Sequence, residues 1–382
     1  MQANGQMGTT TLLMLGASAT PVCGVRDHAR TLGTALQARG VRVVTRWWET
    51  GIADRPTAIR SWLASLETAA AEEKPHWILW EYSVFTYGRR GIPVLAPLVA
   101  RRLRQLRTPL VGCLHEYGVP FGRRGLRGMA QAATQRVALA YIYRTLDAAV
   151  VTTEDRQEWL GGRHWLPRKP SLFLPVCSNV GFDDVKPGHA TINELAIGVI
   201  GFGSDTYLVD PVVEAVARLR ERQPRARLVL VGAPGPEHPL AQRWRTSARR
   251  YGISEALGFT GFLAVDEYSR AVSALDIVVF PDPDGPASRK GTLAAALAAG
   301  KPTLAIEGPH AWHRFVDEGV VTLVPPDAGS IEEQLAGLSR NRNVLTERAR
   351  LARSFYNRWQ SPDVIASKLM DFLESILPTE RH

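Results

Sequence analysis

TLLMLGASATPVCGVRDHARTLGTALQARGVRVV, residues 11–44, decides the fold class. Thr11–Leu15 is a short, almost wholly apolar run of the kind that forms a strand buried on both faces. Gly16–Gly24 is a loop of small residues. Val25–Arg39 carries apolar residues at helical spacing and ends at Gly40. Val41–Val44 is apolar again. Strand, loop, helix, strand is the unit of a doubly wound sheet, because parallel strands need a crossover between them.

The unit recurs along the chain. Trp77–Trp80 and Leu110–Leu114 are further apolar runs, the second ending at His115-Glu116. Ala148–Val151 follows, with the helix-start signal Thr152-Thr153-Glu154 behind it. The pattern restarts near residue 195. Ala196–Ile200 reads as a strand, Gly201–Ser204 (GFGS) as a tight turn, Asp210–Arg220 as an amphipathic helix, and Arg227–Val231 as a strand closed by Gly232. Ile277–Phe280 and Thr303–Ile306 follow, with a helix over Thr292–Ala299 between them. Pro175–Asn193 has linker composition. The expected architecture is α/β: two Rossmann-like, doubly wound domains facing across a cleft. Ligands then sit at the carboxyl ends of strands.

Composition narrows the function. The 382 residues suit two domains, and 45% hydrophobic against 22% charged residues excludes a disordered chain. Cys23, Cys113 and Cys177 have no CxxC spacing, which excludes a disulfide framework and fits a reducing cytosol. Residues 1–10 carry no positive charge, and no apolar run is long enough to span a bilayer, Ile92–Ala100 being among the longest. The expected location is cytoplasmic, or peripheral on the inner face of a membrane. Lys and Arg number 46 against 37 Asp and Glu, a net charge of +9. The excess lies in the first half, where residues 89–144 hold eleven Arg and a single acid, Glu116. That predicts an anionic partner for the first domain. No helix-turn-helix, RNP or zinc pattern accompanies the charge, so a nucleic-acid partner is not expected.

The stretch richest in chemistry is PDPDGPASRKGTLAAALAAGKP, residues 281–302. A strand ends, a Pro/Asp/Gly loop follows, and Ser288-Arg289-Lys290-Gly291-Thr292 opens an Ala-rich helix. Unpaired N–H groups and the positive end of the macrodipole make such a start a phosphate site. Gly291 admits a ligand to the backbone, Ser288 and Thr292 add hydroxyls, and Arg289 and Lys290 add charge without a metal. The plainer alternative is a capped helix with solvated basic residues. GFGS and the loop ending at Gly24 are weaker candidates, for which a tight turn is an equal account. His115 at a strand end suits a general base or a partner for a substrate hydroxyl, and equally a structural His. Trp77, Trp80, Tyr82, Phe85 and Tyr87 read as core, with some members able to line an acceptor site. Asp282 and Asp284 flank Pro283, where turn formation explains them. No metal site is expected, and no Walker A, GxSxG or HExxH sequence occurs.

These stretches together resemble family 4 glycosyltransferases of the GT-B fold over nearly the full chain. TPVCGVRDHARTLGTALQARGVRVV (20–44) resembles the family's Gly-containing first loop and long first helix, and LVGCLHEYG (110–118) the strand ending in its active-site His. DAAVVTTEDRQEWL (147–160) resembles the close of the first domain. GFTGFLAVDEYSRAVSALDIVVFPD (258–282) and AAALAAGKPTLA (294–305) resemble the segments flanking the donor loop. The family's diphosphate-binding Arg and Lys fall at Phe202 and Tyr207 here, and its two Glu, eight positions apart, at Ala287 and Ala295. The chain is thus similar to a divergent branch in which Arg289 and Lys290 take over the missing cations.

The resemblance implies a retaining, metal-independent transfer of sugar from a UDP-, GDP- or dTDP-sugar, with no cofactor beyond that co-substrate. It places Gly24, Gly203, Ser204, Gly232, Phe262 and Ser288–Thr292 against the donor, and His115 and Glu116 at the reacting centre. The acceptor, a lipid-linked glycan precursor or a small metabolite, enters from the basic first domain, and Arg-rich 89–144 can rest on anionic membrane. The expected divisions are 1–185, 186–355 and a C-terminal helical segment, 356–382, that packs back on the first domain. The lost Glu pair supports a second reading, a catalytically inactive GT-B scaffold that binds a partner.

Overall fold

In the computed structural model, residues 10–18, 20, 23–49, 56–122, 125–182 and 194–377 are described. The chain divides into two compact units. One is Met1–Pro175 with Pro362–His382, and the other is Val176–Ser361.

The first unit runs β1 (Thr11–Ser18), α1 (Gly24–Ala38), β2 (Arg42–Glu49), α2 (Pro56–Glu73), β3 (Trp77–Ser83), α3 (Ala96–Gln105), β4 (Leu110–Glu116), α4 (Gly125–Thr145), β5 (Ala148–Val151), α5 (Glu154–Gly161) and β6 (Ser171–Phe173). The sheet is parallel in the order β2-β1-β3-β4-β5-β6. β1, β3, β4 and β5 are apolar for most of their length because helices cover both faces. Three strands outrun their apolar runs: β1 continues to Ser18, β3 to Ser83 and β4 to Glu116. The added residues are mostly polar, and they lie at the carboxyl ends where a parallel sheet presents its ligand site. Trp77, Trp80, Tyr82 and Tyr87 are buried, with the Trp80 indole N–H donating to Tyr87 Oη at 2.7 Å, whereas Phe85 is exposed.

The second unit runs β7 (Leu195–Ile200), α6 (Val209–Arg222), β8 (Ala226–Val231), α7 (Pro239–Arg250), β9 (Leu257–Gly261), α8 (Val265–Ser273), β10 (Ile277–Phe280), α9 (Gly291–Ala298), β11 (Thr303–Ile306), α10 (His313–Asp317), β12 (Val321–Val324), α11 (Ala328–Arg340) and α12 (Arg342–Trp359). Its parallel sheet has the order β12-β11-β10-β7-β8-β9. The order reverses between β7 and β10, so the loops after these two strands diverge and leave a crevice at their carboxyl ends. Leu293 to Ala298 of α9 are all buried, because this helix lies between the sheet and α12.

The expected domain boundary at 185/186 lies outside the described residues. The units part at Pro175/Val176, where Val176 N–H donates to the Ser288 carbonyl at 2.9 Å. The second division falls at Ser361/Pro362, not at 355/356, because α12 is one continuous helix through residue 359. A proline at the start of α13 (Pro362–Ser375) then opens a new helix, which packs against α1 and forms the Arg39–Asp363 ion pair at 2.8 Å.

Candidate active site

In the second unit, Gly201 leaves β7 with φ +63°, and a Cβ on it would lie 2.7 Å from Thr292 Cγ2. The absent side chain lets the β7 loop lie directly on the start of α9. Gly232 leaves β8 with φ +87° and donates its N–H to Thr260 Oγ1 at 3.0 Å. Phe202 N–H donates to the Ala233 carbonyl at 3.1 Å, and Gly203 abuts the Pro234 ring. Phe262, after β9, is 65% exposed and lies beside Gly235. Ser204 Oγ is 2.7 Å from Thr206 Oγ1. The fold therefore brings Gly203, Ser204, Gly232, Phe262 and the 288–292 turn to the carboxyl edge of one sheet.

Phe202 and Tyr207, which stand where the resemblance expects two cations, are core residues. Phe202 packs edge-on against Phe259 and Tyr207 against Phe280. Burial drives the Tyr207 phenol well above its ordinary range, Asp282 adds to this, and a hydrogen bond with Thr292 opposes it. Tyr207 thus ties the β7 loop to α9. Lys290 is the N-cap of α9 and caps it with no side-chain bond. Its ammonium is not a free phosphate contact: it pairs with the buried carboxylate of Asp282, whose other oxygen accepts from Asp284 N–H at 3.0 Å. Asp282 is thus more than a turn residue. Ser288 is buried, and Arg289, Gly291 and Thr292 are partly exposed. A cavity of ≈ 580 Å³ lies between α6 and α7, lined by Leu208, Asp210, Arg243 and Arg250 among others. Its cations are engaged: Arg243 holds the Asp205 and Tyr207 carbonyls at 2.7 and 3.1 Å, and Arg250 stands 3.6 Å from Asp210.

In the first unit, His115 and Glu116 part company. His115 Nε2 meets Glu81 Oε2 of β3 at 2.5 Å, while Glu116 Oε2 takes Arg156 Nη2 of α5 at 3.1 Å. Arg156 also donates to the His115 carbonyl. Glu116 is therefore half of an ion pair at the end of β4, with a partner different from that of His115. Glu81 is the residue the sequence reading missed. Only its polarity inside WILWEYS, residues 77–83, could have signalled it. Gly24 opens α1, and four residues on His28 sets its ring edge-on to His115 with centroids 5.5 Å apart.

The cluster is buried, and its titrations follow from that. Burial holds the His28 imidazole down to about 4, the His115 charge adds to this, and Glu81 opposes it. Burial works against the charge on Glu81, but hydrogen bonding and charge from His115, with help from His28 and Cys113, hold its carboxyl below the ordinary range. Burial, then the Glu81 charge, pushes the Cys113 thiol well up. Glu81, Cys113 and His115 are the one group among the described residues whose ligand-type atoms lie within 4.8 Å of one another. Two tetrahedral ligands of one zinc ion sit about 3.3 Å apart, so the 2.5 Å His115–Glu81 separation is a hydrogen bond rather than a vacant zinc seat.

Two parallel six-stranded sheets with flanking helices, one in each unit, match the GT-B class, and the chain has that fold. Sucrose-phosphate synthase from Thermosynechococcus elongatus matches with a TM-score of 0.71 at 16% identity, over 96% of this chain and 99% of that one. A glycosyltransferase from Rickettsia africae matches at 0.72 and 11% identity, over 97% and 100%. HepE of Anabaena, solved in complex with UDP, matches at 0.69 and 16% identity, over 96% and 100%. Residues 197–341, within the second unit, match the family model described as "Glycosyl transferases group 1". No curated protein sequence matches the chain.

Proposed function

We propose that the protein is a glycosyltransferase that moves a sugar from a nucleotide-diphosphate donor on the second unit to an acceptor hydroxyl presented by the first. The observation that carries this is the carboxyl edge at the β7/β10 switch point. Gly201 is pressed onto the start of α9, inside the segment that matches the glycosyl transferase family. Backbone N–H groups at the α9 start suit the diphosphate, and Gly232 and Phe262 suit the nucleoside. Positive charge at this helix start stabilises the departing nucleotide diphosphate as its negative charge grows. Arg289 and, once released from Asp282, Lys290 supply that charge, and this supports metal-independent transfer. Retention of configuration rests on the resemblance to family 4. UDP is the first nucleotide to test, since HepE was solved with it.

The acceptor side is basic. Among the described residues, Arg90, Arg101, Arg107 and Arg127 make no ion pair. Leu126, Met129, Val137 and Tyr141 form an exposed apolar stripe along α4. This suits a lipid-linked glycan precursor taken from an anionic cytoplasmic membrane face better than a small metabolite. No helix among the described residues is long and apolar enough to cross a membrane.

Thermal-shift screening with UDP, GDP, dTDP and their sugars, followed by a release assay for the free nucleotide, tests the reading. A nucleotide that binds the folded protein raises its apparent stability, and its sugar is then consumed. Binding without turnover for every donor and acceptor favours the inactive scaffold, and no binding at all overturns both readings.

A further inference from the structure

Glu81 is a buried carboxylate in a mostly apolar strand. It stands opposite Cys113 in the β3/β4 register, so the two side chains share a face of the sheet. One residue later the register slips: Tyr82 pairs with Leu114 but Ser83 with Glu116, leaving His115 as the extra residue of a bulge. Bulges re-aim a side chain at the end of a strand, and here the imidazole is turned onto Glu81. Glu81 is 1% exposed, and among the described residues its second oxygen, Oε1, has no hydrogen-bond partner. Such a group costs stability unless something uses it.

The surroundings leave Glu81 one task. The groups facing His115 are His28 from α1, Glu81 from β3, Cys113 Sγ at 3.6 Å within β4, and Arg156 from α5, which holds the main-chain carbonyl. His28 stays neutral and Cys113 stays a thiol, so Glu81 is the sole anion in the cluster. An ionised carboxylate can only accept. It therefore takes the proton-bearing Nε2 of His115. The other nitrogen, Nδ1, makes no hydrogen bond among the described residues, and in the neutral ring it carries the lone pair.

We infer that Glu81 is a positioning residue that fixes His115 as the Nε2–H tautomer, so that Nδ1 accepts a hydrogen bond from a sugar hydroxyl. The inference rests on the glycosyltransferase reading only for the identity of that hydroxyl, which belongs either to the donor sugar or to the acceptor. The tautomer stands apart from any activity. A carboxylate orienting an imidazole in this way sets both its tautomer and its direction.

The test is ring-nitrogen NMR of the full chain labelled at histidine, with no ligand, at a pH where His115 is neutral. His115→Gln assigns its signals. The expected spectrum shows His115 protonated at Nε2 and bare at Nδ1. Glu81→Leu, which fills the same volume without an acceptor, loses that preference. A wild-type ring protonated at Nδ1, or a Glu81→Leu spectrum like the wild type, overturns the inference whether or not the protein transfers sugar. UDP, UDP-glucose, and UDP with glucose are then added in turn. A shift of Nδ1 with UDP-glucose but not with UDP assigns the hydroxyl to the donor sugar. A shift only when free glucose joins UDP assigns it to the acceptor. If UDP-glucose binds by calorimetry and Nδ1 moves in neither titration, hydroxyl recognition by His115 is refuted. If UDP does not bind, GDP and dTDP with their sugars take its place, and failure of all three to bind refutes instead the nucleotide reading and leaves the tautomer result standing.

Discussion

Stability of the first unit should fall steeply as the pH drops from 7 to 5, and His28 should carry much of that fall. Its imidazole is buried under α1 against His115, and its proton affinity drops from the ordinary 6.5 to about 4 on folding. A base that loses affinity on folding leaves the unfolded chain holding more protons, so stability rises with pH. At pH 7 both states are largely neutral and the effect is small. Near pH 5 the unfolded His28 is protonated and the folded one is not. At about 1.4 kcal/mol for each tenfold change in proton affinity, the loss between the two pH values is about 2 kcal/mol, and it approaches about 3 kcal/mol near pH 4. Glu81 acts in a lower window. Its carboxyl is held below the ordinary 4.5, so the stability it adds is present above that value and is lost only as the pH falls further. The assay is urea unfolding followed by tryptophan fluorescence at pH 7 and pH 5, for wild type and His28→Gln. The glutamine lowers stability at both pH values by whatever packing it loses, but it should flatten the difference between them by about 2 kcal/mol. An equal pH loss in both proteins would refute the buried, neutral His28 and with it the packing of α1 over the end of β4.

Three further outcomes are expected. Gly201→Ala should destabilise the second unit by about 2 kcal/mol in urea unfolding, because it combines a positive φ with a methyl pressed on Thr292. Asp282→Asn should release Lys290 and tighten UDP binding by calorimetry about fivefold, or about 1 kcal/mol, and Lys290→Met in that background should remove the gain. An unchanged affinity would mean that Lys290 belongs to the fold and not to the donor. Turnover should persist in EDTA, and complete loss restored by Mg²⁺ would overturn the cation-and-helix account of the leaving group.

In both units the sequence showed the elements but not their partners, for a physical reason. Short apolar runs marked β5, β10 and β11 to the residue, because a parallel strand covered on both faces has a composition no loop shares. Gly201 and Gly232 were equally legible as chain reversals. The turn at 288–292 was legible as a helix start, because caps and small residues act within a few positions of themselves. What pairs with what was not. Lys290 reads as a free cation until β10 ends and folds Asp282 beneath it. Glu116 reads as the partner of its neighbour His115 until α5 brings Arg156 onto its carboxylate. Glu81 reads as an oddity of β3, thirty-four residues from His115. Local chemistry along the chain determined the strands, the helix starts and the class of fold. Only the tertiary register of β3 on β4, with one residue bulged at its end, decided which carboxylate the histidine would meet.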